Sequence, residues 1–207
     1  MKSTGGPLNY VNGHYAISDP KKSVPVIALI YKHKPKSKSE LELLIEYHFK
    51  NKCSCGIISQ GTIIDFGTNL YNAHLKEYGV EKFSLQECIA WEYELFITNS
   101  MKGAFMEEKA LTMLSTSFPL LKITRASGFF DEDLRIDLII YKGDKVVCGI
   151  QVKPSSYLNM RQSIINYNLS CNSKWSNVVL YLVYENDIFS NFQYIVNSIN
   201  QFIVSLK

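Results

Sequence analysis

The stretch that most limits how this chain can fold is residues 135–157, RIDLIIYKGDKVVCGIQVKPSSY. Two short runs rich in Ile and Val, residues 136–141 and 146–152, flank Lys142-Gly143-Asp144-Lys145. β-Branched runs around a Gly-Asp turn read as a β-hairpin. Polar residues interrupt both runs: Asp137 in the first, Gln151 and Lys153 in and just after the second. Side chains alternate along a strand, so Gln151 and Lys153 share one face and Val152 takes the other. Folding the hairpin about Asp144 sets Asp137 level with Gln151 to within a residue. An acid, an amide and an ammonium then meet on one strand pair. Taken alone, such an acid and lysine can be no more than a cross-strand ion pair worth about 0.2–1 kcal/mol.

Asp137, thirteen residues, then Gln151-Val152-Lys153 resembles the core motif of the PD-(D/E)XK nucleases, with Gln where the second acid usually stands. The resemblance implies a magnesium-dependent DNA nuclease whose hairpin carries a metal-binding Asp, an acidic ligand and a Lys. Mg²⁺ takes oxygen ligands and typically combines one or two carboxylates with substrate phosphate and water. Asp137 would supply one carboxylate and a backbone carbonyl near Val152 another oxygen. Lys153 would orient the attacking water and offset charge in the transition state. An amide at residue 151 can still ligate, but it removes one negative charge. That departure keeps a rival in view: an inactive DNA-binding or structural module on the same fold. A DNA-repair or junction-resolving nuclease is a further alternative.

The helical stretch 102–117, at 100° per residue, gathers Met106, Ala110, Leu111, Met113 and Leu114 on one apolar face. Glu107 falls near the middle of that face, where an unpaired carboxylate is costly. Gly103-x-x-x-Glu107 resembles the superfamily's glutamate on the helix before the first core strand, which implies a supporting role at the metal. Pairing of Glu107 with Arg125 or Arg135 is the plainer reading. Downstream, strands are expected at 120–126 and 178–184, and helices at 159–170 and 189–206. The acids Asp131, Glu132 and Asp133 are expected to be solvated. From residue 102 the order α, β, β, β, α, β, α matches the αβββαβ core of the superfamily with one added helix.

The first hundred residues are read from local signals. Residues 1–23, with Gly5-Gly6-Pro7, Asn12-Gly13 and Asp19-Pro20, read as an irregular arm, solvated or reaching along DNA through Tyr10 and His14. Residues 24–31 form a buried strand or helix start. Lys32, Lys34, Lys36 and Lys38 form a basic loop suited to phosphate contacts that carry no sequence information. Ser39 is expected to cap a helix running to about Asn51, residues 53–68 a short strand pair, 70–78 a helix stopped by Gly79, and Ser84 a cap for 85–99.

With 207 residues, 46% of them hydrophobic, the chain can bury a substantial core, and a net charge of +3 permits a nucleic-acid partner. Five scattered cysteines fit a reduced cytoplasmic protein. His48, Cys53 and Cys55 lie close in sequence, but Cys-x-Cys lacks the usual paired spacing of zinc ligands, so zinc is not expected there. No early apolar run is long enough to span a bilayer.

The expectation is therefore an α/β (α+β) protein: a PD-(D/E)XK restriction-endonuclease-like core with a central mixed sheet flanked by helices, and a largely helical N-terminal half. Residues 1–100 would serve DNA recognition and dimerisation, and 101–207 catalysis. Size and layout fit a type II restriction endonuclease cutting double-stranded DNA at a short site with Mg²⁺ as a homodimer. The Gln-Val-Lys-Pro-Ser-Ser-Tyr run is similar to the MjaI-like restriction enzymes. Site residues implied by the resemblance are Asp137, Gln151, Lys153 and Glu107, with Val152 at the metal. Ser155 and Tyr157 would join Tyr10, His14 and the four lysines in touching DNA.

Overall fold

In the computed structural model, residues 6–205 are described. Gly5 and the rest of the first five residues of the expected arm, and Leu206, the expected end of the last helix, lie outside them. The chain divides into two compact units, Met1–Ala104 and Phe105–Lys207.

The second unit is built on the hairpin. β2 (Leu138–Lys142) pairs antiparallel with β3 (Lys145–Pro154), with Leu138 opposite Ile150 and Ile140 opposite Cys148, and the register shifts between Ile140 and Tyr141. Gly143 in the turn has a φ of 59°, a left-handed conformation that glycine adopts without strain. β1 (Lys122–Arg125) lies antiparallel on the other side of β2. β4 (Val179–Glu185) runs parallel to β3, and β5 (Ile188–Phe189) closes the edge, giving the order β1-β2-β3-β4-β5. A parallel neighbour needs a crossover. Here α8 (Gln162–Asn172) makes it, after a 3₁₀ turn at Ser155–Asn159.

Alternation along the strands sorts the core into two faces. Leu138, Ile140, Cys148, Ile150, Val152 and Leu182 pack with Met106, Ala110 and Leu114 of α6 (Ser100–Ser117) and with Ile195 and Ile199 of α9 (Phe192–Ser205). Ile139 faces the other way, and Ile136, which lies ahead of β2 and outside its alternation, joins it against Trp175 and Val179. The result is a mixed α+β architecture, a five-stranded mixed sheet flanked by helices. A one-turn helix, α7 (Phe129–Glu132), occupies part of the expected loop 127–134.

The first unit is helical throughout its regular elements: α1 (Pro7–Tyr15), α2 (Val26–His33), α3 (Lys38–Lys50), α4 (Ile63–Tyr78) and α5 (Leu85–Tyr93), the last continuing as a π-helical segment, Glu94–Asn99. Three local expectations need correction. The arm is a helix from Pro7, because Leu8 and Val11 bury against Leu70, Ala73 and Trp91. Ser37 rather than Ser39 caps α3, its Oγ accepting from the Glu40 amide at 3.2 Å. No strand pair forms among residues 53–68: Thr62 and Asp65 make a capping box that starts α4 at Ile63, well before residue 70. Of the two readings of 24–31, strand or helix start, the helix holds, with α2 beginning at Val26. Gly79 does end α4 in a left-handed conformation, and Ser84 caps α5 by a second box with Glu87.

Candidate active site

Asp137 stands one residue before β2, and both backbone hydrogen bonds that hold it reach neighbouring strands. Its N–H donates to the Ile150 carbonyl at 2.9 Å, and its carbonyl accepts from Ala126 N–H at 2.9 Å. The side chain is fixed as well: Oδ2 accepts the Val152 N–H at 2.6 Å. Continuing the pairing of Leu138 with Ile150 by one step sets Asp137 opposite Gln151.

The charges around Asp137 oppose one another. Burial pushes its carboxyl up to about 7; Lys153 works against this, Glu107 adds to it, and the Val152 N–H bond and Asp131 contribute smaller effects of opposite sign. Lys153 is half-buried, with Nζ 5.9 Å from the centroid of the Tyr157 ring. Glu107 is half-buried on α6 and pairs with Arg125 at 3.4 Å, while Arg125 also binds Glu108. The plainer reading of Glu107 thus holds, and its field still reaches Asp137.

Gln151 is 1% exposed. Its Nε2 donates to Asn168 Oδ1 of α8 at 3.3 Å, and Asn168 in turn donates to the Ile164 carbonyl at 2.9 Å. Its Oε1 is buried with no hydrogen-bond partner. Buried carbonyl-type oxygens are nearly always satisfied, so this orphan calls for a ligand. An amide oxygen and a carboxylate on facing strand positions are hard oxygen donors of the kind Mg²⁺ accepts.

Tyr157, expected at the DNA, is 5% exposed, stacked on Tyr181 at 5.8 Å and next to Lys153. Tyr181 in turn donates its hydroxyl to Asn172, whose Nδ2 donates to the Leu134 carbonyl. Asp131, expected in solvent, is half-buried by the α7 turn; burial raises its pKa, while Arg135 and Lys153 pull it down. Sequence reading missed it because nothing in an acidic loop tells which acid turns inward. Ser155 is half-buried directly after β3.

The remaining residues belong to the first unit. Lys32, Lys34, Lys36 and Lys38 are all exposed around the turn from α2 to α3. Tyr10 and His14 are exposed on α1 and stack at 5.7 Å. Beside the basic turn lies a group not anticipated as a set: one ligand atom from each of His33, His48, Cys53 and Cys55, all within 4.8 Å of one another.

A mixed sheet whose antiparallel pair holds an acid beside Gln-x-Lys, with a glutamate on the helix ahead of the first strand, is consistent with the restriction-endonuclease-like fold. Comparison with known families narrows this: the family described as MjaI restriction endonuclease matches residues 7–191. The chain belongs to that family and is a type II restriction endonuclease. The match takes in nearly all of the N-terminal half, which the resemblance of the hairpin alone had left uncovered. No curated protein and no solved structure matches the chain. Restriction endonucleases act on DNA and generally use a divalent metal. No helix among the described residues is long and apolar enough to cross a membrane.

Proposed function

We propose that this chain hydrolyses phosphodiester bonds of double-stranded DNA at a short specific site with Mg²⁺, using the hairpin site of the second unit. The observation that carries the reading is the unpartnered, buried Oε1 of Gln151 opposite the confined carboxyl of Asp137. Asp137 and Gln151, with the Val152 carbonyl, would hold the ion. When bound, Mg²⁺ supplies charge stabilisation at the scissile phosphate and a more acidic water.

The protein's own groups do the rest. Asp137, pinned by Val152 N–H, keeps its second oxygen in one place. Lys153, which already lowers the proton affinity of Asp137, holds the attacking water and offsets the growing negative charge. Glu107 assists through the field it exerts on Asp137, with Arg125 holding it in position. Tyr157 and Tyr181 exclude water from this end of the sheet, and Ser155 lies where the backbone of the DNA would pass.

In this reading residues 1–100 recognise DNA and dimerise, and 101–207 cut. A homodimer follows from symmetry, because a two-fold protein matches a palindromic site cut in both strands. The enzyme would work in the cytoplasm, where DNA is found and cysteines stay reduced.

Cleavage of plasmid or phage DNA into discrete fragments should require Mg²⁺ and stop with EDTA. Metal-independent cutting, or no cutting with any divalent ion on DNA of varied sequence, would overturn the magnesium reading.

Lys32, Lys34, Lys36 and Lys38, together with Tyr10 and His14, are proposed to supply affinity for DNA. Changing all four lysines to Ala should weaken binding to specific and random DNA alike. The slope of log K against log salt should drop by up to about 3–4, since each phosphate that a lysine neutralises adds about 0.9 to it. An unchanged slope removes this turn from the interface. Sedimentation of the free and DNA-bound protein tests the dimer, and a monomer in both states excludes it.

A further inference from the structure

We propose that His33, His48, Cys53 and Cys55 form a structural zinc site that clips the end of α2 to α3 and to the following loop. The four residues come from three segments. His33 is the last residue of α2, His48 lies in the last turn of α3, and Cys53 and Cys55 sit in the loop after it. Their ligand atoms all lie within 4.8 Å of one another. Zn–S bonds of about 2.3 Å and Zn–N bonds of about 2.0–2.1 Å put the ligand atoms of a tetrahedral centre roughly 3.3–3.8 Å apart. His48 Nε2 and Cys55 Sγ, at 3.2 Å, are already close to that spacing. The rest of the closure, about 1 Å, is within reach of side-chain rotation.

The surroundings also prepare the donors. His48 is buried, and its Nδ1 lies 2.7 Å from the Leu44 carbonyl. That bond makes Nδ1 the protonated nitrogen and leaves the Nε2 lone pair facing Cys55, the outer-shell arrangement common to metal-bound histidines. His33 Nε2 is buried without a hydrogen-bond partner, an orphan that a metal would satisfy. The Cys55 N–H donates to Cys53 Sγ at 3.5 Å, and the Gly56 N–H closes the turn onto the Cys53 carbonyl at 3.1 Å. Gly56, with a φ of 78°, ends the tight Cys-Ser-Cys-Gly turn in a conformation that glycine adopts without strain. Two thiolates and two imidazoles are a soft donor set that suits zinc and not the magnesium of the hairpin. Residues 51–62 contain no helix or strand. A metal clip would order that loop and, through His33, fix the turn that displays Lys32 and Lys34.

The test is zinc binding by the full chain, with no cleavage assay involved. Purified protein should carry about one zinc per chain. Stripped with a chelator, it should take up one Zn²⁺ in competition with a chromophoric chelator and gain thermal stability as it does so, while Mg²⁺ does neither. Co²⁺ in place of Zn²⁺ should give the intense visible bands of a tetrahedral site and sulfur-to-metal charge transfer. His33→Ala should weaken zinc binding by at least about 10-fold, and Cys53→Ser with Cys55→Ser by at least about 100-fold. If the double variant does not fold, the cobalt spectrum of the wild type still decides the ligation. Stripped wild type that binds no zinc, a cobalt spectrum without thiolate bands, or a double variant that binds as tightly as wild type would overturn the proposal. None of these readouts depends on Asp137, so failure of the magnesium reading leaves this one standing, and the reverse holds as well.

Discussion

Asp137→Asn and Lys153→Ala should each reduce DNA cleavage by on the order of 10²–10³ while the folded protein still binds DNA. The reason lies in what each change removes and what it leaves. Asn at residue 137 can still accept the Val152 N–H through its amide oxygen, so the anchoring bond survives. It also removes a carboxylate that burial already disfavours, so the fold should lose little stability and is free to gain some. What disappears is the negative charge that holds the cation. Lys153 is half-buried and its charge is the largest influence opposing the burial of Asp137. Replacing it removes a cation that matters most when charge grows on the phosphate. Were the two residues only an ion pair between strands, either change would cost about 0–1 kcal/mol of stability and nothing in rate.

Gln151→Glu separates two roles for the residue. If Oε1 faces the cation, the added charge should preserve cleavage and lower the Mg²⁺ concentration required. If Gln151 touches DNA instead, the same charge should repel phosphate and weaken binding at every Mg²⁺ concentration. Circular dichroism and DNA binding, run beside the cleavage assay, establish that each variant is folded. Full cleavage by both Asp137→Asn and Lys153→Ala ends the assignment of this site.

The hairpin was legible because its signals are local and redundant. Period-2 alternation, a Gly-Asp turn and β-branched runs all imply the pairing in which Leu138 faces Ile150. Helical phase set Met106, Ala110 and Leu114 on the core and Glu107 near them, where it is half-buried and paired with Arg125. Local signals misled where tertiary burial overrode them. Asn12-Gly13 reads as a turn, yet it lies inside α1 because Leu8 and Val11 gain more from packing on α4 and α5 than the glycine costs. Thr62-Ile63-Ile64-Asp65 reads as strand by composition, although its first and last residues form a capping box. A Thr three residues before an Asp was the usable signal there. Asp131 and His33 were beyond local reading. The first depends on a one-turn helix inside a loop, and the second stands fifteen residues from His48, so only the α2–α3 turn brings them together. The spacing of the two cysteines, a local signal, carries no information about His33, which lies upstream of α3.

Raising the pH from about 4.5 to 8 should lower the stability of the wild-type chain relative to Glu92→Gln by up to about 5 kcal/mol. Glu92 lies on α5, fully buried, and neither carboxylate oxygen has a hydrogen-bond partner among the described residues. Burial alone pushes its pKa from 4.5 up to about 8. The folded chain therefore holds a proton at Glu92 across a pH range in which the unfolded chain has already released it. Where the native state binds more protons than the unfolded state, stability falls as pH rises. The loss begins near 4.5, is complete just above 8, and is absent below 4.5, where both states are protonated. Glutamine keeps the shape and the polarity but cannot ionise, so the variant should lack this component while sharing every other titration with the wild type. The difference in unfolding free energy between the two proteins, measured in denaturant at pH 5, 7 and 9, isolates the effect. At pH 5 the two should lie within about 1 kcal/mol, the ordinary cost of exchanging one neutral buried hydrogen-bonding group for another. By pH 9 the variant should be clearly the more stable, with a higher Tm. A difference that stays flat from pH 5 to 9 means Glu92 ionises in the folded chain as readily as in water. Its charge must then be met by a cation or by solvent reaching α5.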